Sequence, residues 1–496
     1  MFRRALFAVL AGALLTAPAA QAGRDLFVVD QVQNAASLDP HVQWDPDSYF
    51  VYRNVFDNIV TRDQSGAIVP QVAASWKYTN DTTLVLKIRS DIVFHDGSKL
   101  TPDDVAFSIR RVIDPAFKSP QFSQYDTITG VAVSGDEVTI TTKRAYPVML
   151  SQLTKLSVVP KAAVEKMGND AFNQAPVGSG PYRLVSAQRG VKTELAAQPG
   201  YWRGAAPFPR VEFRPVPDES TRLANLRTGR SDITRILLTD NAVDLKTDPQ
   251  IKVLWTPVER LAMLALNALV GPTKDPKVRL AIAHAIDRNL IVEALLKGYA
   301  KPVDEMMPPP NFGYAEGIAP FKYDPALARQ LLKEAGVAPG TKISFPTAPS
   351  FDQRVVQAIH QMLTDVGLAP EIASTDIGTY LRRRQGAPEE AGDVSFFRWS
   401  CGCQDADGVL FPLFHSSSQW SKYKNPVVDS EIEAARNTLD ETARLTHYRK
   451  TLEILRQDVA AVPLYQDVMM FAARKEVQWK PTPNEAFFLM DMTWKP

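Results

Sequence analysis

The sequence predicts an α/β fold, on two observations. Short runs with an apolar residue at every second position, the mark of a half-buried strand, recur along the chain. Between them stand segments with apolar residues three or four apart, opened by a cap and proline and closed by glycine. Strands alternating with helices of this kind build sheets covered by helices. At 496 residues the chain has room for two or three such domains.

The first 22 residues stand apart. Arg3 and Arg4 precede an apolar run, Ala5 to Leu15, that is too short to span a bilayer. Ala20 and Ala22 then form a small-x-small cleavage pattern before Gly23. This is the pattern of a secretory signal peptide, residues 1–22. No cysteine stands at the cleavage point, so no lipid anchor is expected. No later apolar run approaches transmembrane length, so an exported, soluble product is expected. Without residues 1–22 the chain carries 54 basic and 55 acidic side chains, a net charge of −1. That balance gives no reason to expect nucleic acid or an anionic membrane as a partner.

In chain order, 23–29 opens as a strand, and a polar loop over 33–40 contains Asn34 and Ser37. A helix is expected over 48–57. Leu84, Leu86 and Ile88 alternate with polar or outward positions in a strand over 83–89. After a turn at His95-Asp96-Gly97, Thr101 caps a helix with Pro102 at its first position and Asp104 three after the cap, running to Ile113. Val131, Val133, Val138 and Ile140 flank a hairpin turn at 134–136. Pro176 to Tyr182 is a glycine- and proline-rich turn into a strand; Pro181 removes a donor and no helix follows, so it is not a phosphate cradle.

Leu261 to Leu269 is an apolar strand. Asp275 and Pro276 start a helix expected to reach Lys297, with Val278, Ile282, Ile286 and Leu290 on one face. Asp324 and Pro325 start another, with Leu327, Leu331 and Ala335 sharing a face and Gly336 ending it. Val355, Ile359, Leu363 and Val366 line a third. Leu445, Tyr448, Leu452, Leu455 and Val459 line a last one. Such stripes are expected to face the core.

Several of these segments carry longer patterns. Residues 66–76 read G-x-x-x-P-x-x-A-x-S-W, and 94–108 read F-H-D-G-x-x-x-T-x-x-D-V-x-F-S. Residues 275–288 read D-P-x-V-R-x-A-I-x-H-A-I-D-R, and 323–336 read Y-D-P-x-x-A-R-x-L-L-x-E-A-G. Together they resemble the family-5 extracellular solute-binding proteins, the dipeptide- and oligopeptide-binding receptors of bacterial ABC importers. The resemblance implies a two-lobed periplasmic-binding-protein fold with a hinge and an additional subdomain in the first lobe. Residues 23–258 and 470–496 would form the first lobe, with the subdomain at about 50–175, and 259–469 the second. The chain crossings near 258 and 469 would be the hinge.

The implied function is that of a periplasmic receptor that captures a small solute, a peptide or peptide-like compound, and delivers it to an inner-membrane ABC permease. ATP hydrolysis would belong to separate ATPase subunits. The receptor would need no cofactor and act as a monomer. The same family includes receptors for metal chelates and haem, which is one alternative. The alternative of another class is a secreted hydrolase, but G-x-x-x-x-G-K-[ST], H-E-x-x-H and G-x-S-x-G are all absent and the six histidines are scattered.

The stretch 394–407 is where a ligand site is expected, because sites in α/β sheets lie beyond the carboxyl ends of strands. By resemblance to the family's W-x-x-D-x-x-D-P-D loop, Trp399 would stand against the ligand, and Asp405 and Asp407 match the later acidic pair. The family's ammonium-binding Asp, three after the tryptophan, is Gly402 here. Arg398 is placed to receive a ligand carboxylate or to make an ion pair. Cys401 and Cys403, the two cysteines, can form a disulfide, hold a soft metal with His415, or remain thiols. Tyr423 and Asn425 match the family's Y-x-N-P run and would border the cleft. Asn34 and Ser37 would border it from the S-L-D-P loop, and Trp44 is a core or cleft residue.

Overall fold

A computed structural model describes residues 24–42, 45–309 and 311–495. The signal segment and Trp44 lie outside the described residues. Its main sheet has nine strands. The order is Val394–Trp399, Ile251–Leu266, Ala461–Arg474, Ile233–Ile236, Leu26–Gln31, Arg210–Pro215, Lys192–Ala197 and Tyr182–Gln188, with Lys301–Pro302 pairing beside Ala461–Arg474.

Two of these strands are long and pair antiparallel along most of their length. Each passes from one hydrophobic core to another. In Ile251–Leu266, Leu254 and Val258 pack with Phe27, Phe50 and Phe213. Beyond a register break between Pro257 and Leu261, Leu264 and Leu266 pack with Ile282, Phe345 and Ile359, and Met263 with Tyr448. In Ala461–Arg474 the order is reversed. Val462 and Leu464 belong to the second core, Met469 and Phe471 to the first. The molecule is therefore two lobes joined through a shared strand pair.

A further core sits within the first lobe. It lies between a four-stranded sheet (Ala73–Asn80, Thr83–Ile88, Glu137–Thr142, Ile128–Ser134) and the helix Pro102–Ile113. Alternation in Thr83–Ile88 puts Leu84, Leu86 and Ile88 inside this subdomain. The helix starts as its sequence dictates: the Thr101 amide and hydroxyl both donate to Asp104 Oδ2, at 2.9 and 2.8 Å.

The glycine- and proline-rich turn docks this subdomain on the rest of the lobe. His95 N donates to Gly178 O at 2.8 Å, and Gly178 N returns a bond to His95 Nδ1 at 3.2 Å. Because Nδ1 accepts, Nε2 carries the proton and donates to Gly180 O at 3.0 Å. Burial lowers the His95 pKa to about 4, so the ring is neutral and this pattern holds. A Cβ on Gly178 would fall 2.0 Å from Val55 O, and one on Gly180 2.6 Å from Val55 C. Both glycines are needed for close backbone approach. Beside them the buried Asp57 carboxylate accepts from Gln71, Ser179, Tyr201 and Trp202. The turn thus serves packing.

Two expected stripes are corrected. The helix begun at Pro276 ends at Ala285, because Ile286 is extended and Asp287 caps a new turn by accepting from Leu290 N at 2.9 Å. Leu290 is consequently exposed. The last long helix starts earlier than its stripe suggests, at Glu441 with Asp440 as its cap, and Leu445 lies on its exposed side. No helix among the described residues is long and apolar enough to cross a membrane.

Gly178→Ala should destabilise the protein by roughly 2–4 kcal/mol, since Val55 O cannot retreat without losing its bond from Gly180 N. Urea unfolding should show it; an unchanged midpoint would mean the turn yields freely.

Candidate functional site

Where the two long strands change lobes, the apolar pattern is broken by charge. Glu259 and Arg260 lie at the register break of one strand, and Asp467 at the matching level of the other. Arg260 Nη2 pairs with Glu485 Oε2 at 2.9 Å and its Nη1 lies 4.0 Å from Asp467 Oδ2. Arg398 Nη2 pairs with Asp467 Oδ2 at 2.9 Å. Arg235, on the strand beyond, makes no ion pair among the described residues. Burial, and then the nearby Arg260, push its pKa down.

Glu259 is 2% exposed. Its Oε2 accepts no hydrogen bond, and its ion-pair partner, Lys155 Nζ, stands 3.8 Å from Oε1, too far for a hydrogen bond. Burial raises the carboxyl to about 7, against the opposing pull of Lys155.

Lys155 reaches this point from the subdomain. Its ammonium sits 5.6 Å from the centre of the Tyr49 ring and lies directly over Gly402. A Cβ at 402 would fall 1.8 Å from Nζ, so any side chain there would displace the lysine head from this position. Two further contacts hold the lobes together: Arg62 Nη2 donates to Cys403 O at 2.9 Å, and Arg144 Nη1 to Arg436 O at 3.2 Å. A cavity of about 150 Å³ lies here, lined by Arg62, Lys155 and Asn484 among others. A second, of about 60 Å³, shares Tyr49 and Lys155 with it and is walled by Glu485.

The residues expected to bind ligand are distributed unevenly about this cleft. Arg398 lies in its charge network. Trp399 is half-buried, donates Nε1 to Gly408 O at 2.7 Å and meets Trp420 edge-on. Asp405 requires correction. Its carboxylate accepts two 2.8 Å contacts from Arg444 Nη2 and one at 3.2 Å from Tyr448 Oη, all buried in the second lobe. Asp407 is likewise spent, on Arg436 at 2.7 Å. Tyr423 and Asn425 both donate to Asp458 Oδ2, and Asn425 caps the helix Pro426–Arg436. Ser37 is buried and bonded to Asn173 at 2.8 Å. Asn34 donates to Ala35 O and accepts from Gly190 N, within the first lobe. The polar atoms named here are engaged within their own lobes.

Cys401 and Cys403 are joined in a disulfide. The free-thiol alternative is thereby corrected, and neither sulfur is a thiolate available to a soft metal. His415 Nδ1 is engaged with Ser417 at 2.8 Å.

Lys155, Arg235, Glu259, Arg260, Asp467 and Glu485 were not singled out by sequence reasoning. One signal was present: the adjacent pair Glu259-Arg260 interrupts an otherwise apolar run in a central strand, where charges are rare unless partnered.

The chain is similar to known proteins over most of its length. The family model for the bacterial extracellular solute-binding proteins, family 5 (middle region), matches residues 67–421. The glutathione-binding protein GsiB of Escherichia coli K12 is 28% identical over 491 residues, covering 96% of this chain and 95% of its own. Among solved structures, the periplasmic binding protein DppA of Helicobacter pylori, in complex with the peptide STSA, aligns with a TM-score of 0.82 at 25% identity. That alignment covers 96% of this chain and 99% of DppA. The substrate-binding protein CtaP of Listeria monocytogenes shares the fold at a TM-score of 0.87 and 20% identity, covering 96% of this chain and all of CtaP.

The buried Glu259 gives a pH signature. Its pKa is raised on folding, from 4.5 to about 7. Its stabilising contribution is therefore complete below the unfolded value and is lost as pH rises through the folded one. Between about pH 5 and about pH 8, ligand-free Glu259→Gln should lose less thermal stability than wild type. Parallel melting-temperature profiles would show that the carboxyl titrates normally.

Proposed function

This chain belongs to family 5 of the bacterial extracellular solute-binding proteins, and we propose that it captures a peptide or peptide-like solute between its lobes for an ABC importer. The observation that carries this reading is the charge network of Arg260, Arg398, Asp467, Glu485, Glu259 and Lys155, set where two strands are the sheet connection between the lobes. Charges are costly to place in a protein interior. A network of them at the lobe crossing suits recognition of a charged, hydrogen-bonding solute. The names of the relatives point the same way: GsiB is a glutathione-binding protein, and the H. pylori DppA structure holds a tetrapeptide.

On this reading the protein is a receptor and hydrolyses nothing; the relatives are binding proteins, which favours it over a secreted hydrolase. It works as an exported monomer in the periplasm, and the permease and its ATPase subunits receive the loaded form. Trp399 supplies an aromatic wall. The lobes move about the register break near Pro257–Leu261 and its partner level near Asp467. The two cavities, about 150 and 60 Å³, are below the roughly 300–1,000 Å³ of typical ligand pockets. A peptide held between the lobes enters when they part. A ligand then closes them only to the extent that it binds the closed state better.

Isothermal titration with glutathione and a panel of di-, tri- and tetrapeptides should find at least one micromolar or tighter binder. X-ray scattering should show the radius of gyration falling as that binder saturates the protein. No binding across the panel would sink the peptide assignment, and an unchanged radius at saturation would sink the closure.

A further inference from the structure

Three charged groups at the cleft lack what their chemistry demands. Glu259 is buried with an oxygen that accepts no hydrogen bond and a cation held beyond bonding distance. Arg235 has no ion-pair partner among the described residues; Glu485 and Asp47 act on it only through space. Lys155 makes the long contact to Glu259 and otherwise lies over Gly402 and the Tyr49 ring. Buried polar groups without partners are rare in folded proteins, and Glu259 Oε2 calls for an explanation.

Resting on the receptor reading above, we propose that Lys155 is a resident counter-ion which the ammonium of a bound solute displaces from Glu259, and that carboxylates of the same solute engage Arg235 and the freed Lys155. The solute class follows: a small acidic peptide with one ammonium and two carboxylates.

The stereochemistry supports each part. An ammonium has three donors and can satisfy both oxygens of Glu259, which Lys155, arriving from the opposite wall, does not. Gly402 gives Lys155 its parking place, because any side chain there would occupy the volume of the lysine head. Lys155 lines both cavities and pairs with Glu259, so its withdrawal enlarges both and uncovers Glu259 Oε1. The cleft holds the cations Lys155, Arg235, Arg260 and Arg398, with Arg62 nearby, against the carboxylates Glu259, Asp467 and Glu485, with Asp47 nearby. Two of those carboxylates are already committed to Arg260 and Arg398. Once a solute ammonium takes Glu259, Lys155 loses its anion and Arg235 keeps only the through-space pull of Glu485 and Asp47, so each can take a carboxylate of the solute.

The test is calorimetric titration with Glu-Ala-Gly, which has the stated charges, against Gln-Ala-Gly, N-acetyl-Glu-Ala-Gly and glutathione. Glu-Ala-Gly or glutathione should bind about tenfold or more tightly than either of the other two. In Glu259→Gln the preference for the free over the acetylated N-terminus should vanish. In Lys155→Met the preference for Glu-Ala-Gly over Gln-Ala-Gly should shrink. A structural role for either residue would weaken all peptides alike. Equal binding of Gln-Ala-Gly and Glu-Ala-Gly by wild type overturns the second carboxylate, and equal binding of the acetylated peptide overturns the ammonium. Should Glu259→Gln fail to fold, the wild-type and Lys155→Met comparisons still decide. If none of the four binds but another peptide of the larger panel does, this inference falls and the receptor reading stands.

Discussion

The antiparallel pairing of Ile251–Leu266 with Ala461–Arg474 is the constraint on which the rest of the molecule depends. Backbone hydrogen bonds make a sheet continuous regardless of which core its side chains enter. A strand pair can therefore belong to two lobes at once. The pairing is interrupted at its middle, between Pro257 and Leu261, and shifts register again between Ala262 and Met263. A register break bends and loosens a ladder without severing it. At the middle break the ladder is free to bend, and Glu259 and Arg260 lie there.

The charged cleft follows from this. Glu259, Arg260 and Asp467 occupy strand positions that would be apolar inside either lobe. They face the space between the lobes, where Arg398, Glu485, Lys155 and Arg235 meet them from other elements. The second-lobe loop after Val394–Trp399 contributes differently. Its acidic residues brace the lobe from within, Asp405 against Arg444 and Asp407 against Arg436. What the loop offers the cleft is backbone and space: the Cys403 carbonyl for Arg62, and bare Gly402 under Lys155. A carboxylate with a buried guanidinium partner is costly to free for a ligand, because the arginine would be left unpaired.

The motif F-H-D-G and the turn P-V-G-S-G-P-Y are over 80 residues apart yet are two halves of one joint. Neither serves binding directly. The histidine reads both glycine carbonyls while one glycine amide reads the histidine, and the missing Cβ atoms let that backbone lie against Val55. The joint fixes how the subdomain, and so Lys155, is presented to the second lobe.

Much of the fold is legible in the sequence because its signals are local. Alternation over 83–89 marks a strand, and Thr101-Pro102 with Asp104 marks a helix start, by geometry that needs no distant partner. The stripe that runs on to Leu290 misleads because Asp287 competes as a cap, and only packing decides between continuing and restarting a helix. Trp399 and Arg398 are marked as candidates by their place at the end of an apolar strand. Which carboxylates remain for a solute is not. Asp405 and Glu259 are the same functional group in the sequence. Their roles diverge because Arg444 lies within hydrogen-bonding distance of one, while the other meets only a distant lysine. The sequence by itself determined the elements, the α/β class and the family pattern, since those rest on interactions between near neighbours. The tertiary structure alone decided which charges are paired, because an ion pair is set by distance in space, and these partners are separated by tens to hundreds of residues.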